Sequence, residues 1–120
     1  MNRGEVWQLA LDNPTPVGQE GENSGRLVLL LSSDALAVLP LRVVVPLVEW
    51  HDSFSSVPWM VRVPPVLNSG LVTGMAADAL QVRSVSTARL KHRLGRLPAR
   101  ILGDVAAGVG AVRPVAPHLG

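Results

Sequence analysis

One arginine, Arg26, stands at the head of the apolar run Leu27 to Leu31, where a polar loop ends and a strand is expected to begin. A guanidinium group is planar, permanently charged and able to donate two parallel hydrogen bonds, which suits it to phosphate oxygens. The strand would fix the direction of this side chain. Residue type and position therefore indicate a phosphate-binding group, and an ion pair with Glu20 or Glu22 is the alternative role.

Two loops carry further groups that could act beside this arginine. The first, between Asn13 and Gly25, contains Gly18 and Glu20. Glu20 is a possible proton-transfer group, and a carboxylate that braces the loop is the alternative. The second loop, residues 49–57, supplies aromatic and hydroxyl side chains, at Trp50, His51 and Ser53. Exposed indole rings can stack on unpaired bases, so this loop suits contact with RNA or a protein partner.

The last third of the chain is basic. Gln81 and Arg83 open it, and Gln81 either touches RNA, orients loops or is a buried amide satisfied by the backbone. The cations of this segment are Arg83, Arg89, Lys91, Arg93, Arg96 and Arg100. Such a segment can follow a phosphate backbone or receive an acidic peptide, and a solvated charged face is the equal alternative.

Composition bounds the class of protein. A chain of 120 residues with 48% hydrophobic residues suits one compact domain, residues 1–120. The absence of cysteine excludes disulfides and thiolate metal sites. The three histidines are scattered without ligand spacing, so we expect no metal and no cofactor. The net charge of +2 is by itself a weak indication of a nucleic-acid partner.

Nothing in the sequence resembles a targeting or membrane segment. Arg3 and Glu5 argue against a secretory signal peptide. Arg26, Asp34 and Arg42 interrupt the apolar runs well below the ~18 residues that a spanning helix needs. We therefore expect a soluble, cytoplasmic protein without a membrane partner.

Hydrophobic patterning predicts a strand-rich fold. Residues 5–11 alternate in polarity, as a strand against a core does, whereas residues 27–31 and 43–47 are continuous apolar runs typical of strands buried on both faces. Ser33 or Asp34 can cap a short helical turn through Leu39. Residues 58–63 predict another strand, and residues 71–85 one or two more after the turn Asn68 to Gly70.

A helix is predicted at the end of the chain. Pro98 suits its first position, and apolar residues recur at helical spacing, at Ile101, Leu102, Val105, Ala106, Val109 and Val112. The tail 114–120 is expected to fray because its prolines cannot continue the helix. Together these elements predict a β-rich α+β fold, a small curved antiparallel sheet or barrel with a C-terminal helix.

Short segments follow one another in a characteristic order from residue 3 to residue 112: Arg3 to Trp7, Asp12 to Thr15 with Gly18 and Glu20, Arg26 with Val28 to Asp34, Val43 to Leu47, Pro58 to Val63, Gly70-Leu71, Gln81 to Val85, Arg89-Leu90 and Gly95 to Pro98. This order resembles the MazF/PemK family, endoribonuclease toxins of type II toxin–antitoxin systems. The resemblance implies an SH3-like, CcdB-like barrel assembled as a homodimer. It also implies metal-independent cleavage of single-stranded RNA, growth inhibition, and neutralisation by an antitoxin with a flexible acidic tail.

The resemblance assigns roles to particular residues. It implies that Arg26 stabilises the phosphorane, and it places Val48 where the family has a threonine that contacts the scissile phosphate. The family usually has proline where this chain has Leu27. Because valine has no hydroxyl, a catalytically weakened RNA- or antitoxin-binding homologue is one alternative. A CcdB-type gyrase inhibitor is another, although that type ends in a tryptophan-containing tail and this chain ends in residues 117–120 without one.

Overall fold

The structure is a computed structural model that describes residues 1–10 and 25–112. The predicted loop with Gly18 and Glu20 and the predicted frayed tail both lie outside this part of the chain. Within it the chain forms seven strands and one α-helix, which are β1 (Glu5–Ala10), β2 (Gly25–Leu30), β3 (Leu41–Glu49), β4 (Met60–Val63), β5 (Met75–Asp78), β6 (Arg83–Ser86), β7 (Leu90–Arg96) and α1 (Ala99–Val112).

The strands form one antiparallel sheet in the order β4-β5-β3-β2-β1-β7, with β6 also paired to β3. Strand β3 is nine residues long and pairs with β6 through its first half and with β5 through its last residues. A 3-10 turn, Thr87–Arg89, joins β6 to β7, so the sheet closes on itself at this side. The predicted antiparallel barrel-like sheet with one C-terminal helix is confirmed.

Each face of the sheet is covered by its own core. The helix-side core joins α1 to the sheet and contains Val6, Leu29, Val45, Leu47, Val63, Leu71, Ala77, Leu97, Ile101, Leu102 and Val105. The barrel core lies on the opposite face and contains Leu9, Val28, Leu30, Val44, Val85 and Leu90. Neighbouring residues of β2 and β3 therefore enter different cores, which explains why their apolar runs are continuous.

The predicted helix is confirmed with its first residue shifted by one. Pro98 precedes α1, and its carbonyl accepts hydrogen bonds from the backbone N–H groups of Ile101 at 3.1 Å and Leu102 at 3.2 Å. Proline suits this place because the first turn of a helix leaves its N–H groups without intrahelical partners. No helix in residues 1–10 and 25–112 is long and apolar enough to cross a membrane.

Two predicted elements are shorter in the structure. The helical turn after Ser33 covers Asp34–Leu36 alone, and the Ser33 hydroxyl caps it by accepting from the Ala35 N–H at 3.1 Å. Strand β4 begins at Met60, two residues after the predicted start at Pro58. The segment predicted as one or two strands after residue 71 contains two, β5 and β6.

Strand β7 was not predicted from the sequence. Its residues Lys91, His92 and Arg93 are exposed, because β7 lies at the end of the sheet order beside β1. An edge strand with polar side chains lacks the apolar alternation that identifies a half-buried strand. The loop between β4 and β5 packs against this strand: Gly95 is buried, and a Cβ atom there would collide with backbone atoms of Asn68 and Ser69.

Candidate active site

Arg26 lies on β2 and points toward the face of the barrel core. In a strand, alternate residues share a face, so Arg26 continues the row of Val28 and Leu30, both of which are buried. Arg26 itself is exposed, because it lies at the end of this row where the barrel opens. The strand fixes the direction of the guanidinium group as expected, and leaves the group accessible to a ligand.

Val48 lies beside Arg26 on the neighbouring strand. The β2–β3 register pairs Leu27 with Leu47 and Val28 with Pro46. Continued by one residue, this register sets Arg26 opposite Val48, and Val48 in turn pairs with Ala76 of β5. The Val48 side chain is 39% exposed, which is unusual for a valine in a central strand. Arg26 and Val48 thus form the rim of one open surface.

Arg83 lies farther along the same side of the sheet, and Gln81 precedes it at the end of the 3-10 turn Ala79–Gln81. Arg83 begins β6 and pairs with Val44, which also pairs with Leu30 of β2, so Arg83 and Arg26 belong to the same face. Both Gln81 and Arg83 are exposed, which makes the buried-amide alternative wrong for Gln81. Arg83 lies opposite Val44 and Arg26 opposite Val48, four residues apart along β3, so a ligand that contacts both must be extended.

The loop after β3 is packed against itself. The Trp50 ring meets the Phe54 ring edge-on at a centroid distance of 5.7 Å, and the Arg62 guanidinium lies over the indole at 5.1 Å. The ring is half-buried, and its Nε1 is buried without a hydrogen-bond partner among the described residues. One face of this indole is therefore occupied by Arg62 and is not open to a base.

The remaining predicted contact residues fall into two groups. His51 and Ser53 are exposed at the 3-10 turn Asp52–Ser56, and the His51 ring packs edge-on against Phe54 at 5.3 Å. Gly18 and Glu20 lie outside the described residues. The structure thus brings the C-terminal end of β3, the loop after it and Arg26 together at one end of the central strands.

Part of the predicted basic segment has structural roles. The Arg89 guanidinium donates to the Ala10 carbonyl, with Nη2 at 2.8 Å. The Arg93 Nε donates to Glu5 Oε2 at 3.0 Å. These two cations tie β7 and the turn before it to β1, so the six basic residues do not form one continuous surface for phosphates.

Glu5 is a buried carboxylate with several donors around it. Burial raises its pKa, but hydrogen bonds from the Trp7 indole, the Asn2 N–H and Arg93, together with the Met1 ammonium charge, outweigh this effect and lower the pKa from 4.5 to about 2. The carboxyl oxygens accept from Trp7 Nε1 at 2.9 Å and from the Asn2 N–H at 2.9 Å. Glu5 is therefore a structural anion that fixes the start of β1.

Arg62, which the sequence did not single out, lies beside Trp50. Arg62 is exposed on β4 and pairs with Ala76, so it shares a cross-strand row with Val48. The signal was present in the sequence: Val61 and Val63 flank Arg62 in a strand, which directs Arg62 to the opposite face. Its contact with Trp50 is a tertiary feature, since eleven residues separate the two along the chain.

Two clefts in the described part of the chain lie away from Arg26 and Val48. One of about 470 Å³ is lined by residues 66–68 and 96–99, and another of about 400 Å³ by Arg3, Asp34, Arg96 and the first residues of α1. Neither is lined by Arg26 or Val48. Among the described residues, no group of three or more His, Cys, Asp or Glu side chains could hold a metal ion.

A family model matches nearly all of the chain that the structure describes. It is the model for PemK-like, MazF-like toxins of type II toxin-antitoxin systems, and it matches residues 2–112. The chain belongs to this toxin family. It is also 32% identical over 109 residues to Endoribonuclease MazF9 of Mycobacterium tuberculosis, and the alignment covers 88% of this chain and 89% of that protein.

Solved structures of MazF proteins share the fold. An endoribonuclease in complex with its cognate antitoxin from a mycobacterial species superposes with a TM-score of 0.73 at 17% identity, covering 97% of each chain. A MazE–MazF structure from Deinococcus radiodurans gives a TM-score of 0.73 at 23% identity, covering 97% of this chain and 98% of that chain. At these identities the likeness concerns the fold, which matches over the whole length.

Leu27 follows Arg26 at the place where the resemblance implies a proline. Leu27 is half-buried and packs against the helix-side core, on the face opposite Arg26. A substitution there changes packing behind the strand and leaves the open surface in front of it intact. Val48 is different, because it lies on the open surface itself.

Proposed function

We propose that Arg26 is the centre at which this endoribonuclease toxin cleaves single-stranded RNA, at short sequences and without a metal ion. The observation that carries the proposal is the position of Arg26, which is exposed at the open end of the barrel core on a strand that fixes its direction. Among the described residues, the ion pairs are those that Glu5 makes with Arg93 and with the Met1 ammonium, so no described acid neutralises Arg26.

The reaction that suits this centre is internal transfer of the phosphodiester. The 2′-oxygen of RNA forms a bond to the adjacent phosphorus, its proton passes to a base, and the bond from phosphorus to the 5′-oxygen breaks as that oxygen gains a proton. The products are a 2′,3′-cyclic phosphate and a 5′-hydroxyl. Because the nucleophile belongs to the substrate, no metal-bound water is required.

Arg26 has one role in this scheme. Its guanidinium donates hydrogen bonds to the phosphorane oxygens, where negative charge accumulates in the transition state. It is not the base, because a guanidinium group stays protonated in proteins and has no lone pair free to accept a proton. Glu20, which the sequence places in the loop before β2, is our candidate for proton transfer.

Val48 weakens the same centre. Its exposed side chain lies beside Arg26 but offers two methyl groups and no donor to the phosphate. A transition state that loses one donor typically reacts 10²- to 10³-fold more slowly. We therefore expect a slow enzyme, and this observation also favours the second candidate, a homologue that binds RNA or antitoxin with little cleavage.

The partners follow from the shape and charge of the open surface. We propose that RNA runs from the Arg26 rim past His51 and Ser53 toward Gln81 and Arg83, and Gly18 stays a predicted RNA contact outside the described residues. The residues that would contact it are exposed in the structure where they are described. A cognate antitoxin with an acidic tail would compete for these cations. We further propose a single toxin domain that acts as a cytoplasmic homodimer.

The test is sequencing of RNA fragment ends after brief exposure of total RNA to the purified protein, with and without excess EDTA. We expect cuts at one short sequence, 5′-hydroxyl ends, and no effect of EDTA. Cleavage that needs added magnesium would contradict the proposed chemistry. RNA binding without cuts would support the weakened homologue, and supercoiling assays with gyrase would detect a CcdB-type activity.

A further inference from the structure

Arg62 lies in the same row of the sheet as the proposed centre. The pairs Arg62 with Ala76 and Ala76 with Val48 are formed directly, and the β2–β3 register continues the row to Arg26. Residues opposite one another in a sheet share a face. Strands β5 and β3 lie between β4 and β2, so three inter-strand spacings of about 4.7 to 4.9 Å separate the Arg62 and Arg26 Cα atoms by about 14 Å. Arg62 is therefore too far along the row to share the scissile phosphate and close enough to contact a neighbouring nucleotide.

The guanidinium group of Arg62 is held by Trp50. It lies 5.1 Å from the centroid of the indole ring, within the range of a cation–π contact. Trp50 is itself fixed in place, because its ring meets the Phe54 ring edge-on and the Trp50 backbone N–H donates to the Gly74 carbonyl at 3.2 Å. A long side chain on an edge strand normally samples several rotamers, and this stack restricts that freedom.

The charge of Arg62 has no acidic partner among the described residues. Asp78 is the carboxylate on the same strand pair, where Asp78 pairs with Met60, and its Oδ1 accepts from the Leu80 N–H at 3.2 Å. Arg62 remains exposed although one face of its guanidinium is stacked. Its N–H edge is therefore free to donate to an anion that arrives from solvent.

We propose that Arg62, oriented by Trp50, binds the RNA backbone at a phosphate next to the cleaved one and so positions the substrate across Arg26. This inference rests on the proposed RNA cleavage. This role differs from the base stacking expected of an exposed Trp50, because the indole ring orients Arg62 and does not itself stack on a base. Arg62 is a positioning residue, since it does not reach the reacting atoms.

RNA is favoured over an acidic peptide as the ligand because Arg62 lies in the same cross-strand row as Arg26. A polymer with one anion per nucleotide, bound at Arg26, must place further phosphates along the surface, and Arg62 offers the next described cation in line with Val48. Phosphate contacts of this kind set register and orientation and do not read bases. Loss of Arg62 should therefore weaken binding similarly for all cleavable sequences.

The test compares Arg62→Ala, Arg62→Lys and the control Arg100→Ala. Arg100 is an exposed cation on α1, in the layer behind the sheet, so the control removes the same charge away from the surface. The probe is a labelled single-stranded RNA that contains a site mapped with the wild-type protein, in a cleavable form and in a form with 2′-deoxyribose at the cleaved position. Chemical denaturation checks that each variant is folded.

We expect Arg62→Ala to raise KM about tenfold and to leave kcat within about twofold, since one charge-assisted contact outside the reacting group is lost. The slope of log affinity against log salt should fall by about 0.7, the value for one phosphate of a single strand. Arg62→Lys should restore the salt slope because it keeps the charge. Arg100→Ala should match wild type in KM and in salt slope.

Three results would overturn the inference. Arg62→Ala could match Arg100→Ala in every constant, it could lower kcat and leave KM unchanged, or it could weaken binding of a polyglutamate peptide and leave RNA binding unchanged. Failure of the proposed function looks different, because the wild-type protein would then neither cleave the labelled RNA nor bind its deoxyribose form.

Discussion

The Arg93 Nε donates to the Glu5 Oε2 atom at 3.0 Å, and this bond joins the edge strand β7 to the first residue of β1. The Glu5 side chain is only 7% exposed, whereas the Arg93 side chain is 49% exposed. The anion is thus removed from water and compensated by donors that belong to three different parts of the chain. A buried charge of this kind is stable only while those donors are in place.

This arrangement predicts an acid-dependent loss of stability. The pKa of Glu5 is about 2 in the folded protein and 4.5 in its ordinary state, so the unfolded chain binds the proton more readily. The stabilisation is therefore complete above about pH 4.5 and is lost as the pH falls toward 2, by up to about 3 kcal/mol. Chemical denaturation at pH 7, 4 and 2.5 measures it. A Glu5→Gln protein should show a smaller change over this interval, and an unchanged pH profile would contradict the account.

Arg26→Ala should abolish RNA cleavage and growth arrest in a folded protein. The exposed guanidinium contributes little to the core, so the free energy of unfolding should change by less than about 0.5 kcal/mol. Loss of the donors to the phosphorane should slow cleavage by at least about 10²-fold. Single-turnover cleavage of a mapped RNA gives the rate, and Arg100→Ala is the matched control. Wild-type cleavage by folded Arg26→Ala protein would remove this residue from the centre.

Val48→Thr should raise the cleavage rate tenfold or more. Threonine nearly matches valine in volume, and at a 39% exposed position its hydroxyl can reach water or phosphate, so stability should stay within about 1 to 2 kcal/mol. The new hydroxyl would lie beside Arg26 and donate to the same phosphate. The rate constant is measured as for Arg26. If folded Val48→Thr protein cleaves at the wild-type rate, residue 48 does not contact the reacting phosphate.

Gly95→Ala should destabilise the protein by about 1 to 3 kcal/mol, because the added Cβ collides with backbone atoms of Asn68 and Ser69 that cannot rotate away. Gly103→Ala is the matched comparison. A Cβ atom at Gly103 meets nothing within 4 Å, and alanine favours the helix, so that change should stabilise the protein by about 0.5 to 1 kcal/mol. Urea denaturation of both variants decides the matter. Equal free energies of unfolding for the two variants would mean that the loop between β4 and β5 does not pack against Gly95 of β7.

Much of the fold could be predicted from local pattern. The continuous apolar runs in β2 and β3 indicated strands buried on both faces, and the structure places neighbouring residues such as Val28 and Leu29 in different cores. The apolar residues of α1 recur with helical period, and together with Pro98 this period located the helix to within one residue. Strand β7 could not be predicted from local pattern, because its partner is β1, some 80 residues earlier, and an edge strand has no apolar alternation in its sequence.

Candidate site residues were recognisable by type but not by arrangement. Arg26 stood out because a permanent charge begins a buried strand, and the family resemblance assigned its role. The sequence also showed that residue 48 lacks a hydroxyl. What it could not show was that Arg62 shares the row of Val48, because that relation depends on the pairing of β5 with both β3 and β4.

The amino-acid sequence by itself determined the helix and every strand except β7, which family the chain resembles, and that Arg26 has the chemistry to hold a phosphate. Only the tertiary structure decided that Arg93 neutralises Glu5 and that Arg62 occupies one face of Trp50. It also decided that Arg26 and Val48 lie opposite each other at the end of two central strands. The physical reason is range. Periodicity and residue type act over a few neighbours, whereas strand register and the burial of a charge are set by partners that the chain brings together only when it folds.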